Sequence, residues 1–152
     1  MRCRASNVKA LLQRVSSASV SVDDEVVGSI GTGLVVLLGV GEGDDEAKAD
    51  KLADKVSKLR VFESAERPMD RSLLDVGGAA LCVSQFTLYG DTRRGLRPSF
   101  TEAAEPAAAE RLYDLFCERL RGRGVPVETG RFAARMAVEL TNEGPVTLLL
   151  EA

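Results

Sequence analysis

The feature that most constrains the fold is an uninterrupted apolar run at residues 34–40, Leu-Val-Val-Leu-Leu-Gly-Val. This run has the length of a strand, and the absence of polar alternation predicts that the strand is buried on both faces. Asp44 follows it and is the expected N-cap of a helix. Leu52, Val56 and Leu59 then recur at helical spacing and give that helix one apolar side. A buried strand followed by an amphipathic helix favours a domain with helices packed on a sheet.

The rest of the chain adds more strands and one more helix. Pro106 is expected to open the second helix, because proline is well tolerated in the first turn. The further strands are predicted at residues 8–15, 20–30 (a pair broken at Asp23 and Asp24), 61–62, 79–89, 125–129, 132–140 and 146–150. The order β-β-β-α-β-β-α-β-β-β predicts a single α/β (α+β) domain with a large mixed sheet and two helices.

Composition excludes several classes of site. The 152-residue chain contains no histidine, which rules out Ser-His-Asp and Cys-His catalysis and removes the commonest zinc ligand. Cys3, Cys82 and Cys117 are odd in number and widely spaced, which argues against disulfides and against a metal site. We therefore expect no metal and no cofactor. The formal net charge of −3 excludes a globally basic surface for nucleic acid.

The expected location is the cytoplasm. The cysteine pattern favours a reducing compartment, and no apolar run reaches the length of a membrane span. The basic N-terminus is followed by an apolar segment that is too short for a secretory signal. No membrane partner is therefore expected.

A Gly-Pro pair, Gly144 and Pro145, precedes the last predicted strand. Proline has no N–H for a sheet ladder, so it is tolerated only at an edge, a start or a bulge. Glycine allows another group to approach the backbone closely. The pair therefore suggests a site that presents backbone carbonyls. From the sequence alone, the trans form is the default for this peptide bond.

Two polar groups of residues are further candidates. Gln85 and Thr87 alternate with apolar residues in the predicted strand 79–89, which places both on one face. Thr87 as a nucleophile would need a base that the sequence does not supply, so a locally hydrogen-bonded threonine is favoured. The arginines that follow this strand either form a solvated loop or contact phosphates of a nucleic acid end. They are Arg93, Arg94 and Arg97.

Two motifs together resemble those of the D-aminoacyl-tRNA deacylases. The first is Ser84-Gln85-Phe86-Thr87-Leu88, which is similar to that family's Ser-Gln-x-Thr-Leu. The second is Asn142-Glu143-Gly144-Pro145-Val146-Thr147, which is similar to its Asn-x-Gly-Pro-Val-Thr. The resemblance runs from about Val8 to Glu151. It implies an N-terminal extension at residues 1–7 and a deacylase domain at residues 8–152.

The resemblance implies a barrel-like sheet and a homodimer with its active sites at the subunit interface. The Gly144–Pro145 bond is cis in this family, and the motif of one subunit reaches into the site of the other. The substrate class is aminoacyl-tRNA, bound by its acceptor 3′ end. The implied reaction is hydrolysis of the ester that joins a D-amino acid, or glycine, to the terminal adenosine.

The resemblance also implies a role for each site residue. Backbone donors near Gln85 and Phe86 stabilise the oxyanion beside Thr87, and the ribose 2′-hydroxyl of the tRNA assists water. The carbonyls of Gly144 and Pro145 hold the ammonium of the substrate and exclude an L side chain. Other residues that contact the substrate are Ser84, Leu88, Phe132, Met136, Val146 and Thr147. Arg14 and Asn142 support the Gly-Pro motif. Beside these implied roles, the basic cluster Arg93, Arg94 and Arg97 supplies the candidate contacts to tRNA. Ala133 stands where the family usually has glycine.

Two alternatives remain open at this point. One keeps the substrate but makes Thr87 a covalent nucleophile. The other is a non-catalytic module that binds the end of tRNA or acts as a dimeric interaction protein. The presence of Gln85, Thr87, Gly144 and Pro145 together argues against a decayed enzyme.

Overall fold

The computed structural model describes residues 7–152, so Met1 to Ser6 of the expected extension lie outside the described residues. Within this range the chain forms six strands and three helices. The strands are β1 (Lys9–Val22), β2 (Glu25–Ile30), β3 (Gly33–Gly39), β4 (Ala79–Ser84), β5 (Val127–Thr129) and β6 (Ala137–Glu151). The helices are α1 (Glu46–Lys58), α2 (Leu73–Val76) and α3 (Pro106–Gly122), and a 3-10 turn covers Phe86–Tyr89.

The strands form one mixed sheet in the order β2-β1-β3-β4-β5, with β6 paired to β1. The pairs that β1 makes with β2, β3 and β6 are antiparallel, whereas β3, β4 and β5 are parallel. The sheet curls until β2 approaches β5. The two strands are so close that a Cβ added to Gly28 of β2 would lie 2.8 Å from the Thr129 carbonyl oxygen of β5. The predicted mixed, barrel-like sheet in a single domain is confirmed.

Two apolar cores fill the domain. The first lies between the sheet and helices α1 and α3, and its largest side chains include Leu12, Leu38, Leu52, Leu112, Phe116 and Leu120. The second lies inside the curled sheet and contains Val15, Ala18, Val20, Ile30, Val35, Leu81 and Val83. Strand β3 contributes to both cores, which confirms that the apolar run is covered on its two faces. None of the helices in residues 7–152 is long and apolar enough to cross a membrane.

Helix α1 begins one residue later than the sequence suggests. Its N-cap is Asp45, whose Oδ1 accepts from the Lys48 N–H at 3.0 Å. The Asp44 carboxylate instead accepts from the Gly41 N–H at 2.6 Å and closes the turn between β3 and α1. The prediction of Asp44 as the cap is therefore wrong, because Asp44 satisfies the glycine turn before the helix starts.

Helix α2 was not predicted, so the expectation of two helices is wrong. This single turn of helix is closed by a capping box in which Ser72 Oγ accepts from the Asp75 N–H at 3.1 Å. In return, Asp75 Oδ2 accepts from the Ser72 N–H at 2.9 Å. Four residues carry too little apolar periodicity to be read as a helix, but the Ser-x-x-Asp spacing is a recognisable start signal.

Several strand boundaries also differ from the predictions. The predicted strand at 8–15 continues as β1 to Val22 and forms a hairpin with β2. The hairpin turn is at Asp23 and Asp24, which have φ of 51° and 66°. The predicted strand at 61–62 is reduced to one bridge between Phe62 and Arg71. Strand β5 begins at Val127, because Val125 and Pro126 form the connection from α3.

Candidate active site

Strand β4 ends at Ser84, where a 3-10 turn replaces the strand that was predicted to run to residue 89. The Gln85 N–H continues the backbone pairing with β3 by donating to the Leu38 carbonyl at 2.8 Å. After Gln85 the backbone makes local hydrogen bonds within the turn, such as the one that the Gly90 N–H donates to the Thr87 carbonyl at 2.9 Å. Alternation of polar and apolar residues fits a strand equally well, so the sequence alone does not reveal the turn.

Gln85 and Thr87 meet in spite of this correction. The Gln85 side-chain amide Nε2 donates to Thr87 Oγ1. Phe86 lies between them as the first residue of the 3-10 turn, a position whose N–H has no acceptor within the turn. Since the Gln85 N–H is already engaged with the sheet, Phe86 is the better placed of the two implied oxyanion donors.

A cavity of about 560 Å³ opens beside this turn. Its lining is predominantly apolar, and its volume lies in the range of small-molecule sites. Of the residues singled out from the sequence, it brings together Ser84, Gln85, Phe86, Phe132 and Met136. The other lining residues are Val40, Val83, Phe100, Ala103, Ala104, Pro106, Ala109, Ala133, Ala134 and Val138.

Two aromatic contacts that the sequence analysis did not assign support the cavity walls. The ring of Phe86 packs edge-on against Phe100, with 5.0 Å between ring centroids. The ring of Phe132 lies 6.4 Å from that of Tyr113 on α3. The buried Tyr113 hydroxyl donates to the Cys82 carbonyl at 2.7 Å, which fixes this ring to β4. The apolar spacing of α3 marks Tyr113 as a core residue but does not connect it to Phe132.

The segment before β6 is irregular rather than part of a strand at 132–140, because β6 begins only at Ala137. Gly130 makes room for the thioether of Met136, since a Cβ at this glycine would lie 2.5 Å from Met136 Sδ. Ala133 follows with a φ of 62°, in the left-handed region. This conformation gives a physical reason for the family's usual glycine at the position.

Replacing Ala133 with glycine is expected to raise the free energy of unfolding by about 0.5–1 kcal/mol. Removing the Cβ relieves the steric strain of the left-handed backbone, and this gain exceeds the extra backbone entropy that glycine loses on folding. Denaturant unfolding followed by circular dichroism measures this. Ala134→Gly, at a neighbouring residue with no positive φ, is the matched control and should be destabilising. A lower stability for Ala133→Gly would contradict the strain assigned to this position.

The Gly-Pro pair lies inside β6, not at the start of a strand. Gln13 of β1 faces Thr147, yet Val15 faces Asn142, so the intervening residues of β6 leave the ladder as a bulge. Within the bulge, the Gly144–Pro145 peptide bond is cis and Gly144 has a φ of 124°. The predicted strand that begins at residue 146 is therefore the second half of one long strand.

Side chains from β1 and β6 hold this bulge. The Asn142 amide accepts from the Val146 N–H at 3.2 Å and donates to Thr147 Oγ1 at 2.9 Å. Arg14 Nε donates to the Glu143 carbonyl at 3.0 Å, and its Nη1 donates to the Val61 carbonyl at 2.9 Å. Both residues that the resemblance implies as supports therefore contact the bulge directly.

The bulge and the cavity are separate within one chain. Val138 near the start of β6 lines the cavity, but none of Gly144–Thr147 does. Gly144 and Pro145 are both exposed. Thr87 and Leu88 of the 3-10 turn also lie outside the cavity lining, and Leu88 packs against Gly39 of β3. The structure thus places the two motifs on different surfaces of the same molecule.

The arginine cluster lies on a loop closed by backbone bonds between Asp91 and Ser99. Arg93 donates to the Asp91 carboxylate from Nε at 2.9 Å and Nη2 at 2.8 Å. These bonds hold the pKa of Asp91 well below its usual range. Arg94 and Arg97 are exposed on the same loop.

A sequence model of the D-Tyr-tRNA(Tyr) deacylase family matches residues 11–151. The chain belongs to this family. A relative named D-aminoacyl-tRNA deacylase from Symbiobacterium thermophilum is 61% identical over 95% of this chain and 96% of its own length. Another of the same name, from Roseiflexus sp., is 59% identical over 95% of this chain and 94% of its own.

The fold of the deacylase family is also found in a similar solved structure. A protein described as c-Myc DNA Unwinding Element Binding Protein superposes with a TM-score of 0.90 at 39% identity. The match covers 95% of this chain and 98% of that chain. The family and the fold that the two motifs suggested are therefore confirmed.

Proposed function

We propose that this protein hydrolyses the ester bond of D-aminoacyl-tRNA to give a free D-amino acid and tRNA. The observation that carries the proposal is the 3-10 turn, which brings Gln85 and Phe86 into the lining of a cavity of about 560 Å³ and leaves Thr87 bonded to the Gln85 amide. Relatives that match nearly the whole chain carry the name of this activity.

The reaction needs little acid–base chemistry from the protein. An aminoacyl ester is already activated, and water adds to its carbonyl carbon with help from the ribose 2′-hydroxyl. The oxyanion that forms accepts a hydrogen bond from the Phe86 N–H, an interaction that is stronger in the transition state than in the ground state. The intermediate then collapses, and the ribose 3′-oxygen leaves with a proton. A chain without histidine is suited to this route.

Thr87 is expected to be dispensable as a nucleophile. Its hydroxyl accepts from the Gln85 amide, a group that donates a proton in this bond and has no basic nitrogen. We expect Thr87→Val to retain deacylation within about tenfold of the wild-type kcat, since the loss is one side-chain hydrogen bond. Thr87→Ser, which preserves the hydroxyl, is the control. A covalent route would instead require that Thr87→Val is inactive while Thr87→Ser is active.

We further propose that chirality is selected by the Gly144 and Pro145 carbonyls of a second subunit. The bulge is exposed and lies away from the cavity of its own chain, so only another copy can carry it into a site. A rigid backbone wall rejects an L side chain by steric clash, while Val146 and Thr147 flank the wall. Glycine has no side chain to reject, so glycyl-tRNA(Ala) is a second proposed substrate.

The proposed assembly is a homodimer in which β6 lies at the interface. Strand β6 pairs with β1, and among the described residues no strand covers its other edge. It also exposes large apolar side chains, with Leu149 at 53% and Leu148 at 39% of full exposure. A long apolar edge strand is prone to pairing with another chain, so a second copy is a consistent partner.

The proposed tRNA contact is the loop that carries Arg93, Arg94 and Arg97. Arg94 and Arg97 are exposed, and the loop follows directly from the 3-10 turn beside the cavity. Guanidinium groups there would meet backbone phosphates near the acceptor end, despite the acidic net charge. With this substrate, the proposed role is chiral proofreading of translation in the cytoplasm.

The decisive experiment compares matched D- and L-tyrosyl-tRNA(Tyr) in the same deacylation assay. We expect rapid hydrolysis of the D form, hydrolysis of the L form at the uncatalysed rate, and hydrolysis of glycyl-tRNA(Ala). Binding without hydrolysis of any of them would favour the non-catalytic module. Equal hydrolysis of the D and L forms would contradict chiral selection by the Gly144 and Pro145 carbonyls, although the protein would still be an esterase.

A further inference from the structure

The last residue of β3, Gly39, lies directly beneath the 3-10 turn. A Cβ added there would meet three atoms of the segment 85–89: the Gln85 carbonyl oxygen at 3.2 Å, Leu88 Cβ at 3.2 Å and Tyr89 Cε2 at 3.3 Å. All three distances are shorter than ordinary van der Waals contact. A residue with a side chain at this position would therefore push the turn away from β3 by a few tenths of an ångström.

Lys9 holds the same turn from the neighbouring strand. It faces Gly39 in the register between β1 and β3, and its Nζ lies 4.6 Å from the centroid of the Tyr89 ring. Tyr89 is only 5% exposed and is the last residue of the turn. A cation is attracted to an aromatic face, so Lys9 holds the Tyr89 ring and with it the end of the turn.

We propose that Gly39 and Lys9 are positioning residues for the reaction. Gly39 leaves the space into which the turn docks, and Lys9 keeps the Tyr89 ring in that space. Together with the bond from the Gln85 N–H to the Leu38 carbonyl, they fix the position of the Phe86 N–H relative to the cavity. Neither residue touches the cavity, so their effect is transmitted through the turn. The inference rests on the proposed function of that turn.

The test uses the variants Gly39→Ala and Lys9→Met in the full-length protein. A displacement of a few tenths of an ångström is expected to lower kcat for D-tyrosyl-tRNA by about tenfold in Gly39→Ala. Loss of the cation–π contact is expected to lower it about threefold in Lys9→Met. KM should stay within about twofold in both variants, because most of the cavity lining comes from segments outside the turn.

The matched controls are Gly31→Ala, where an added Cβ has nothing within 4 Å, and Lys51→Met on the exposed side of α1. Both should retain wild-type kcat. A second readout is the pair of amide signals from Phe86 and Thr87 in a ¹H–¹⁵N correlation spectrum, which should move in the two test variants and stay in place in the controls.

Folded Gly39→Ala with wild-type amide signals and kcat would overturn the proposal, as would a rise in KM alone. If Gly39→Ala does not fold, Lys9→Met decides, and unchanged amide signals and kcat in that variant would overturn the proposal. An inactive wild-type protein would contradict the proposed function instead, and the amide signals would still report on the positioning of the turn.

Discussion

Replacing Phe86 with proline is expected to lower kcat for D-aminoacyl-tRNA by about 10²–10³-fold, the usual cost of losing one oxyanion donor. Proline removes the backbone N–H while remaining compatible with the first residue of a helical turn. Gln85, the residue before it, already has a non-helical backbone with φ −141° and ψ 82°. This φ lies in the range preferred before proline, and the ψ lies outside the α region that proline disfavours. Single-turnover deacylation measures the effect on the chemical step.

The control for this variant is Phe86→Leu. It also loses the aromatic ring that packs on Phe100, but it retains the N–H. We expect Phe86→Leu to stay within about tenfold of wild type, because an aromatic pair contributes only about 0.5–1.5 kcal/mol. Circular dichroism melting establishes that both variants are folded. If folded Phe86→Pro reacted as fast as Phe86→Leu, the N–H would not be the donor.

Replacing Gly144 with alanine is expected to abolish most of the deacylation, by about 10²-fold, because the bulge must move. A Cβ at this position would lie 2.6 Å from Arg14 Nη2 and 3.0 Å from Val146 Cγ2. Arg14 can retreat only by giving up its bonds to the Glu143 and Val61 carbonyls. The φ of 124° is also unfavourable for alanine, so stability should fall by about 1–3 kcal/mol.

Gly77→Ala separates the loss of stability from the loss of function. Gly77 caps α2 with a φ of 63°, and an added Cβ there has nothing within 4 Å. This variant should lose about 1 kcal/mol of stability from the left-handed backbone alone and keep its activity. Rates for D- and L-aminoacyl-tRNA, measured beside denaturant unfolding, complete the comparison. Wild-type rate and wild-type D preference in Gly144→Ala would show that the bulge does not form the selective wall.

The sequence predicted elements well where burial determines them. The apolar run of β3 and the stripe of α3 each have one stable placement, because their side chains must be covered on given faces. The 3-10 turn illustrates the opposite case. Residues 85–89 alternate as a strand does, and the deciding contacts are the close packing on Gly39 and the burial of Tyr89. Those contacts join segments that are distant in sequence.

The Gly-Pro bulge has a similar explanation. Proline restricted the pair to an edge, a start or a bulge, and all three remained possible from local information. The choice of a bulge depends on Arg14 and Asn142. Their side chains form hydrogen bonds with backbone groups that no longer pair in the β ladder. Arg14 lies far away in sequence on β1. The resemblance could supply this role, whereas spacing and composition could not.

The lining of the cavity has a consequence for how the reaction responds to acidity. In the described part of the chain, none of the residues that line the cavity carries a carboxyl, an amine, an imidazole or a guanidinium. Between mildly acidic and mildly alkaline conditions, the walls therefore keep the same charge. Any dependence of the rate on pH would come from titration of the substrate ammonium group and from the concentration of hydroxide. The pH–rate profile would therefore report on the aminoacyl ester rather than on side chains of the cavity.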